Sequence, residues 1–159
     1  EDTLSLHDAL PIFTRPYFIV CNQFWMHKDH RTAFLAFAEL AKSRPSIDLV
    51  CTWHTTDYRN PQHLTSLEAI IAEYDLKDRV HILGAIPKLD QISLLQHAIA
   101  LVQPTLFEGG PGGGAVFDAT SLGVRSIVSD IPVNQELHES TVTYFRAGDA
   151  ASLAEAMAA

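Results

Sequence analysis

Residues Ala98–Ser129 read AIALVQPTLFEGGPGGGAVFDATSLGVRSIVS. Ala98–Val102 is a short apolar run stopped by Pro104, the pattern of a buried strand. A glycine-rich loop, Gly109–Gly114, follows. The spacing then predicts a helix from about Gly114 to Leu122, with Gly123 as its C′ residue. Arg125–Ser129 is strand-like again. Strand, loop, helix and strand in this order make a parallel crossover unit.

The same rhythm runs outward in both directions. Upstream, strands are expected at Tyr17–Cys21, Ile47–Thr52 and Arg79–Leu83, and helices at Asp29–Lys42, His63–Tyr74 and Lys88–His97. In the last of these helices Ile92 and Leu95 are expected to face inward. Downstream come a short helix at Pro132–His138, a strand at Thr141–Phe145 and a helix at Asp149–Ala158. The fold class is therefore α/β: a Rossmann-like, doubly wound parallel sheet of about six strands. Such sheets bind ligands beyond the carboxyl ends of their strands, near the switch in strand order. Attention falls on the loops that follow strands.

Composition narrows the ligand. Of 159 residues, 11 are Lys or Arg and 19 are Asp or Glu, a net charge of −8. A chain so acidic lacks the field of a general nucleic-acid binder or of a protein held to acidic membranes. An anionic ligand must be held by local groups. No apolar run approaches the ~18 residues of a spanning helix. Cys21 and Cys51 lie in apolar runs and form no disulfide framework, which suits a reducing, cytoplasmic setting. The length suits one domain, expected over 17–159. The opening 1–16 segment, with Pro11 and Pro16, looks foreign to it.

The glycine loop is the strongest chemical feature. Gly110, Gly112, Gly113 and Gly114 let backbone N–H groups approach a ligand, and the helix that follows presents unpaired donors and the positive end of its dipole. Glu108 and Asp118 frame the loop, and carboxylates there accept hydrogen bonds from sugar or ribose hydroxyls. After the first strand, Lys28 near a helix start is a point charge for phosphate, beside Gln23 and Asn22. His27 and His30 are three apart, but no third ligand stands nearby, so no metal is expected. A competing pattern is G-x-G-x-x-A over Gly110, Gly112 and Ala115, with Asp130 twenty residues after Gly110. That spacing fits an NAD(P)-binding module of an oxidoreductase. It sits in the fourth crossover unit rather than the first, which counts against it. A non-catalytic nucleotide-binding domain is the other alternative.

Four segments together resemble the donor-binding, C-terminal domain of retaining GT-B glycosyltransferases, the glycosyl transferases group 1 family. They are VCNQFWMHK at 20–28, HILGAIP at 81–87, QPTLFEGGPGGGAVFDA at 103–119 and LGVRSIVSDIP at 122–132. The resemblance implies one half of a GT-B fold and transfer of a sugar from a nucleotide-sugar with retention. The ligand would be a UDP-, GDP- or ADP-sugar donor rather than a resident cofactor. It assigns Lys28 to the donor diphosphate and Glu108 to the transferred sugar, as the catalytic pair. Asp118 would meet the ribose, Gly84 would lie near the base, and Gly110–Gly114 would cradle phosphate. Two departures stand out. Gln23 replaces the usual arginine, and the two acids lie two positions farther apart than in the family. The resemblance also implies a missing N-terminal, acceptor-binding domain, through which any membrane contact would be made. This chain would then be a fragment that does not complete transfer alone.

Overall fold

The structure is a computed structural model that describes residues 14–159. The opening segment expected to stand apart therefore lies mostly outside the described residues. Its last two members already join the sheet: the Arg15 guanidinium meets the Asp48 carboxylate at 2.9 Å, and the Pro16 carbonyl accepts from Asp48 N at 2.9 Å.

Among the described residues, six strands and five helices follow one another, with only a 3-10 turn between the fifth and sixth strands. They are β1 (Tyr17–Cys21), α1 (His30–Ser43), β2 (Asp48–Thr52), α2 (His63–Glu73), β3 (Val80–Ile82), α3 (Lys88–His97), β4 (Leu101–Gln103), α4 (Gly113–Ser121), β5 (Ser126–Ser129), β6 (Val142–Phe145) and α5 (Ala150–Ala158). All pairings are parallel, in the order β3-β2-β1-β4-β5-β6. The order reverses between β1 and β4, which opens a crevice at their carboxyl ends. Among the described residues no helix is long and apolar enough to cross a membrane.

Burial follows from the two-residue strand period. Along β1, Phe18 and Val20 enter the layer under α1, α2 and α5, with Phe34, Phe37, Leu67, Leu153 and Met157. Tyr17, Ile19 and Cys21 point to the opposite layer, with Leu94 and Leu95 of α3 and Val116 and Ala119 of α4. Both faces are covered, so the strands read as continuous apolar runs rather than alternating ones. Asp29 caps α1 through Thr32 N, and Asp149 caps α5 through Ser152 N.

Three expectations shift. The fourth strand begins at Leu101, not Ala98, because Ala98 still closes α3 through Leu95 O and Ile99 N reaches only Tyr17 O. The helix expected over Pro132–His138 is a single 3-10 turn, Asn134–Glu136. The Tyr144 hydroxyl donates to the Asn134 and Leu137 carbonyls, which takes up acceptors a longer helix would use. In α3 the buried positions are Gln91, Leu94 and Leu95, with Ile92 only half-buried. The Thr52 hydroxyl donates to Gln91 Oε1 at 2.9 Å, and this bond turns the helix.

The two histidines of the 27–30 pair also part. His27 sits on the 3-10 turn Met26–Lys28, its ring 6.0 Å from Phe107. His30 is fully buried, stacked on Phe24 at 4.0 Å. Burial pushes the His30 pKa down to about 3, and nearby His63 adds to the shift. The unfolded chain then binds one more proton than the folded one between about pH 6.5 and 3. Stability is fully present above pH 6.5 and falls as the pH drops through that window. The expected slope from this group is about 1.4 kcal/mol per pH unit. Urea unfolding at pH 7.0, 6.0 and 5.0 checks it, and His30→Gln should flatten the profile. An unchanged slope in the variant would show that other groups set the acid sensitivity.

Candidate functional site

At the β1/β4 switch point lies a cleft of about 190 Å³ whose lining is more polar than apolar. Larger hollows occur elsewhere on the surface. One is lined by Leu64, Ile71, Val80 and Ile82, a second by residues of α1 and α5, and a third by Met26, Arg59, Asn60, Gln62, His63 and Ser66. None of these joins the exits of β1 and β4, the place where sheets of this topology bind ligands.

The loops around the crevice are tied to one another. Leu106 N donates to His27 O at 2.8 Å, joining the exits of β4 and β1. Phe24 N donates to His54 O at 3.0 Å, joining β1 to β2. Trp53 N donates to Gly84 O at 2.8 Å, joining β2 to β3. Trp53 lines the cleft and holds φ at 86°, a conformation that costs an aromatic residue about 1–2 kcal/mol. Strain of this kind gathers at sites where geometry serves a ligand.

Lys28 and Glu108 meet inside the cleft. Lys28 Nζ lies 3.2 Å from Glu108 Oε1, and their side chains are only 13% and 8% exposed. Gln103, the last residue of β4, organises this pair. Its Nε2 donates to Glu108 Oε1 at 3.0 Å and to the Gly112 carbonyl at 3.1 Å, while its Oε1 accepts from Asn22 Nδ2 at 3.0 Å. One buried amide thus orients the carboxylate, the glycine turn and the β1 exit.

The glycine turn is braced from behind. Gly112 takes φ 72° as N-cap of α4, and its N–H donates to Asn134 Oδ1 at 2.8 Å. Gly113 also takes φ 72°, and a Cβ there would stand 3.1 Å from Glu108 Oε2. Only glycine lets the helix start pass so close to that carboxylate. Gly113 and Gly114 line the cleft at the first turn of α4, where backbone N–H groups lack intrahelical acceptors.

The sequence-predicted residues therefore divide. Gln23, Lys28, Glu108, Gly113 and Gly114 share one lining. Gly110, Gly112 and Gly84 stand outside it. The Gly112 amide is already bonded, so its contribution is the turn itself. Asp118 also stands outside and accepts from Lys88 Nζ at 2.6 Å, while Lys88 lines the cleft. Asp130 of the dinucleotide pattern accepts from Ala147 N at 2.9 Å and braces the turn into α5. Cys21 lies on the cleft floor with its thiol pushed up to about 12 by burial, so it stays protonated and packs as an apolar strand residue.

Sequence reasoning missed the parts played by Lys88, Gln103, Trp53 and Asn134. Lys88 carried a readable signal: a cation opening a helix directly after a strand exit. Asn134 carried none beyond an amide among apolar neighbours.

The family model described as Glycosyl transferases group 1 matches residues 5–159. The O-antigen chain mannosyltransferase RfbU of Salmonella typhimurium is 29% identical over 133 residues, 84% of this chain and 35% of that protein. Among solved structures, Anabaena Alr3699/HepE in complex with UDP aligns with TM-score 0.83 at 15% identity, over 96% of this chain and 41% of that one. The C-terminal domain of the group 1 protein LpcC from Francisella tularensis aligns with TM-score 0.77 at 17% identity, over 91% and 75%. The chain thus spans about a third of the curated relative's length. At these identities the structural likenesses establish the fold.

Proposed function

From the premise that this chain belongs to the glycosyl transferases group 1 family, we propose that its cleft holds the diphosphate and sugar of a nucleotide-sugar donor. The observation that carries this reading is the buried Lys28–Glu108 pair beside the Gly113–Gly114 helix start at the switch point. In outline, the sugar's hydroxyls donate to Glu108. Lys28 Nζ turns to the diphosphate, and its charge stabilises the leaving group as negative charge develops there. The helix start adds backbone donors without adding net charge. The donor is a UDP-, GDP- or ADP-sugar, and the anomeric configuration is retained. A solved HepE complex with UDP-glucose and the mannosyltransferase relative support a hexose donor. We further propose that acceptor contacts come from a second domain. A cytoplasmic setting suits such a donor.

Calorimetric titration with UDP, GDP, ADP and NADH tests the reading. Preference for one nucleoside diphosphate is expected, whereas NADH preference would sink it in favour of the oxidoreductase alternative. Binding of none of them would also sink it. Lys28→Ala should weaken the preferred diphosphate by about 10- to 100-fold, the loss of a charge-assisted contact. Glu108→Ala frees Lys28, so the diphosphate should bind at least as tightly, while the sugar-bearing donor loses its sugar contact and gains less or weakens. Equal effects of Glu108→Ala on both ligands would refute its sugar role.

A further inference from the structure

A diphosphate ester carries two negative charges, and this cleft offers it little net attraction. Lys28 is held by Glu108, so that pair is neutral overall. Position 23, on the same lining, is a neutral glutamine. The protein as a whole carries −8. The helix start supplies partial charge only. Further positive charge must come from a side chain that reaches the same space.

Lys88 is that side chain. It opens α3 directly after the β3 exit and lines the cleft together with Lys28 and Gln23. Its position is secured from below, because Gln91, one turn later, accepts from the Thr52 hydroxyl. Its ammonium rests on Asp118 at 2.6 Å, with the Lys88 side chain 58% exposed. An ion pair so open to water contributes little, and salt screens it. Asp118 therefore parks Lys88 at the cleft edge without locking it. The four-carbon stem leaves the ammonium free to swing to a phosphate. Asp118, once released, becomes an acceptor for hydroxyl groups of the same ligand.

Resting on the donor reading above, we propose that Lys88 is the second cation of the diphosphate site and supplies the charge that Gln23 does not. The bland alternative is that Lys88 only holds Asp118 in place. The two differ in which part of the ligand feels its loss.

The test uses the whole chain and calorimetry with the preferred nucleoside diphosphate and its phosphate-free nucleoside. Lys88→Gln should weaken the diphosphate about tenfold, the worth of one charged contact, and leave the nucleoside within about twofold. Lys88→Arg keeps the charge and should bind within about threefold of the parent. Adding Gln23→Arg to Lys88→Gln should restore most of the lost affinity. Equal weakening of diphosphate and nucleoside by Lys88→Gln would assign Lys88 to holding Asp118 and overturn the proposal. So would an unchanged diphosphate affinity, or no rescue by Gln23→Arg. If the parent chain binds no nucleoside diphosphate, the donor reading itself fails, and Lys88 falls with it.

Discussion

Asn134→Ala is expected to lower the free energy of unfolding by about 3 kcal/mol. Asn134 is fully buried beneath the glycine turn. Its Oδ1 accepts from Gly112 N at 2.8 Å, and its Nδ2 donates to the Ser129 carbonyl at 3.0 Å and hydroxyl at 3.2 Å. Alanine leaves an amide N–H and a carbonyl with no partner in a place water does not reach, and each costs about 1–3 kcal/mol. Asn134→Asp should not repair the loss. It restores an acceptor for Gly112 but points a carboxylate oxygen at the Ser129 carbonyl and buries a charge. Urea unfolding followed by circular dichroism measures the change. A loss below about 1 kcal/mol would mean that the turn relaxes to find other partners. Affinity for the proposed donor should fall as well, since the same bond fixes where α4 begins.

The second large effect is expected at Gly112. A Cβ there would lie 2.9 Å from Leu137 Cδ1 and 2.9 Å from Val116 Cβ, on backbone held at φ 72°. The left-handed conformation costs an L-residue about 1–2 kcal/mol. The overpacking adds about 1–3 kcal/mol, because Leu137 has a movable methyl but Val116 Cβ is fixed to its helix. Gly112→Ala should therefore destabilise by about 2–5 kcal/mol. Against a typical domain stability of about 5–15 kcal/mol, that lowers the melting temperature visibly. Gly110→Ala is the internal control. A Cβ at Gly110 would meet nothing within 4 Å and its φ is not positive, so its change should be near zero. Similar melting temperatures for the two variants would refute the close-packed turn. Combined with Asn134→Ala, the Gly112 effect should be less than additive, because the two residues share one bond.

Much of the architecture was legible because parallel strands covered on both faces must be apolar throughout. YFIVC at 17–21 and the strand-helix rhythm after it leave few other folds. The ends of elements were less legible. Ala98–Ala100 has the composition of a strand, yet helix closure and single bonds to β1 claim it before the β5 ladder starts. The segment around Asn134–Glu136 has the composition of a helix, yet the Tyr144 hydroxyl, reaching it from β6, takes the Asn134 and Leu137 carbonyls, a contact that no local property of the segment announces.

What the sequence by itself determined is the alternation of elements, the switch-point loops and the chemical inventory: Lys28, Glu108, Asp118 and a glycine turn opening a helix. Periodicity and glycine conformational freedom are local properties, and local properties are readable along a chain. What only the tertiary structure decided is which charges meet. Lys28 pairs with Glu108 and Lys88 with Asp118, across 80 and 30 residues of chain. Gln103 joins Asn22 to the glycine turn, and Asn134 braces that turn from the far side of β5. These are contacts between separate strand exits, set by the strand order β2-β1-β4-β5 and by the hydrogen bonds that tie the loops together. No spacing in the sequence encodes them, because side chains distant along the chain become neighbours only once the sheet has closed.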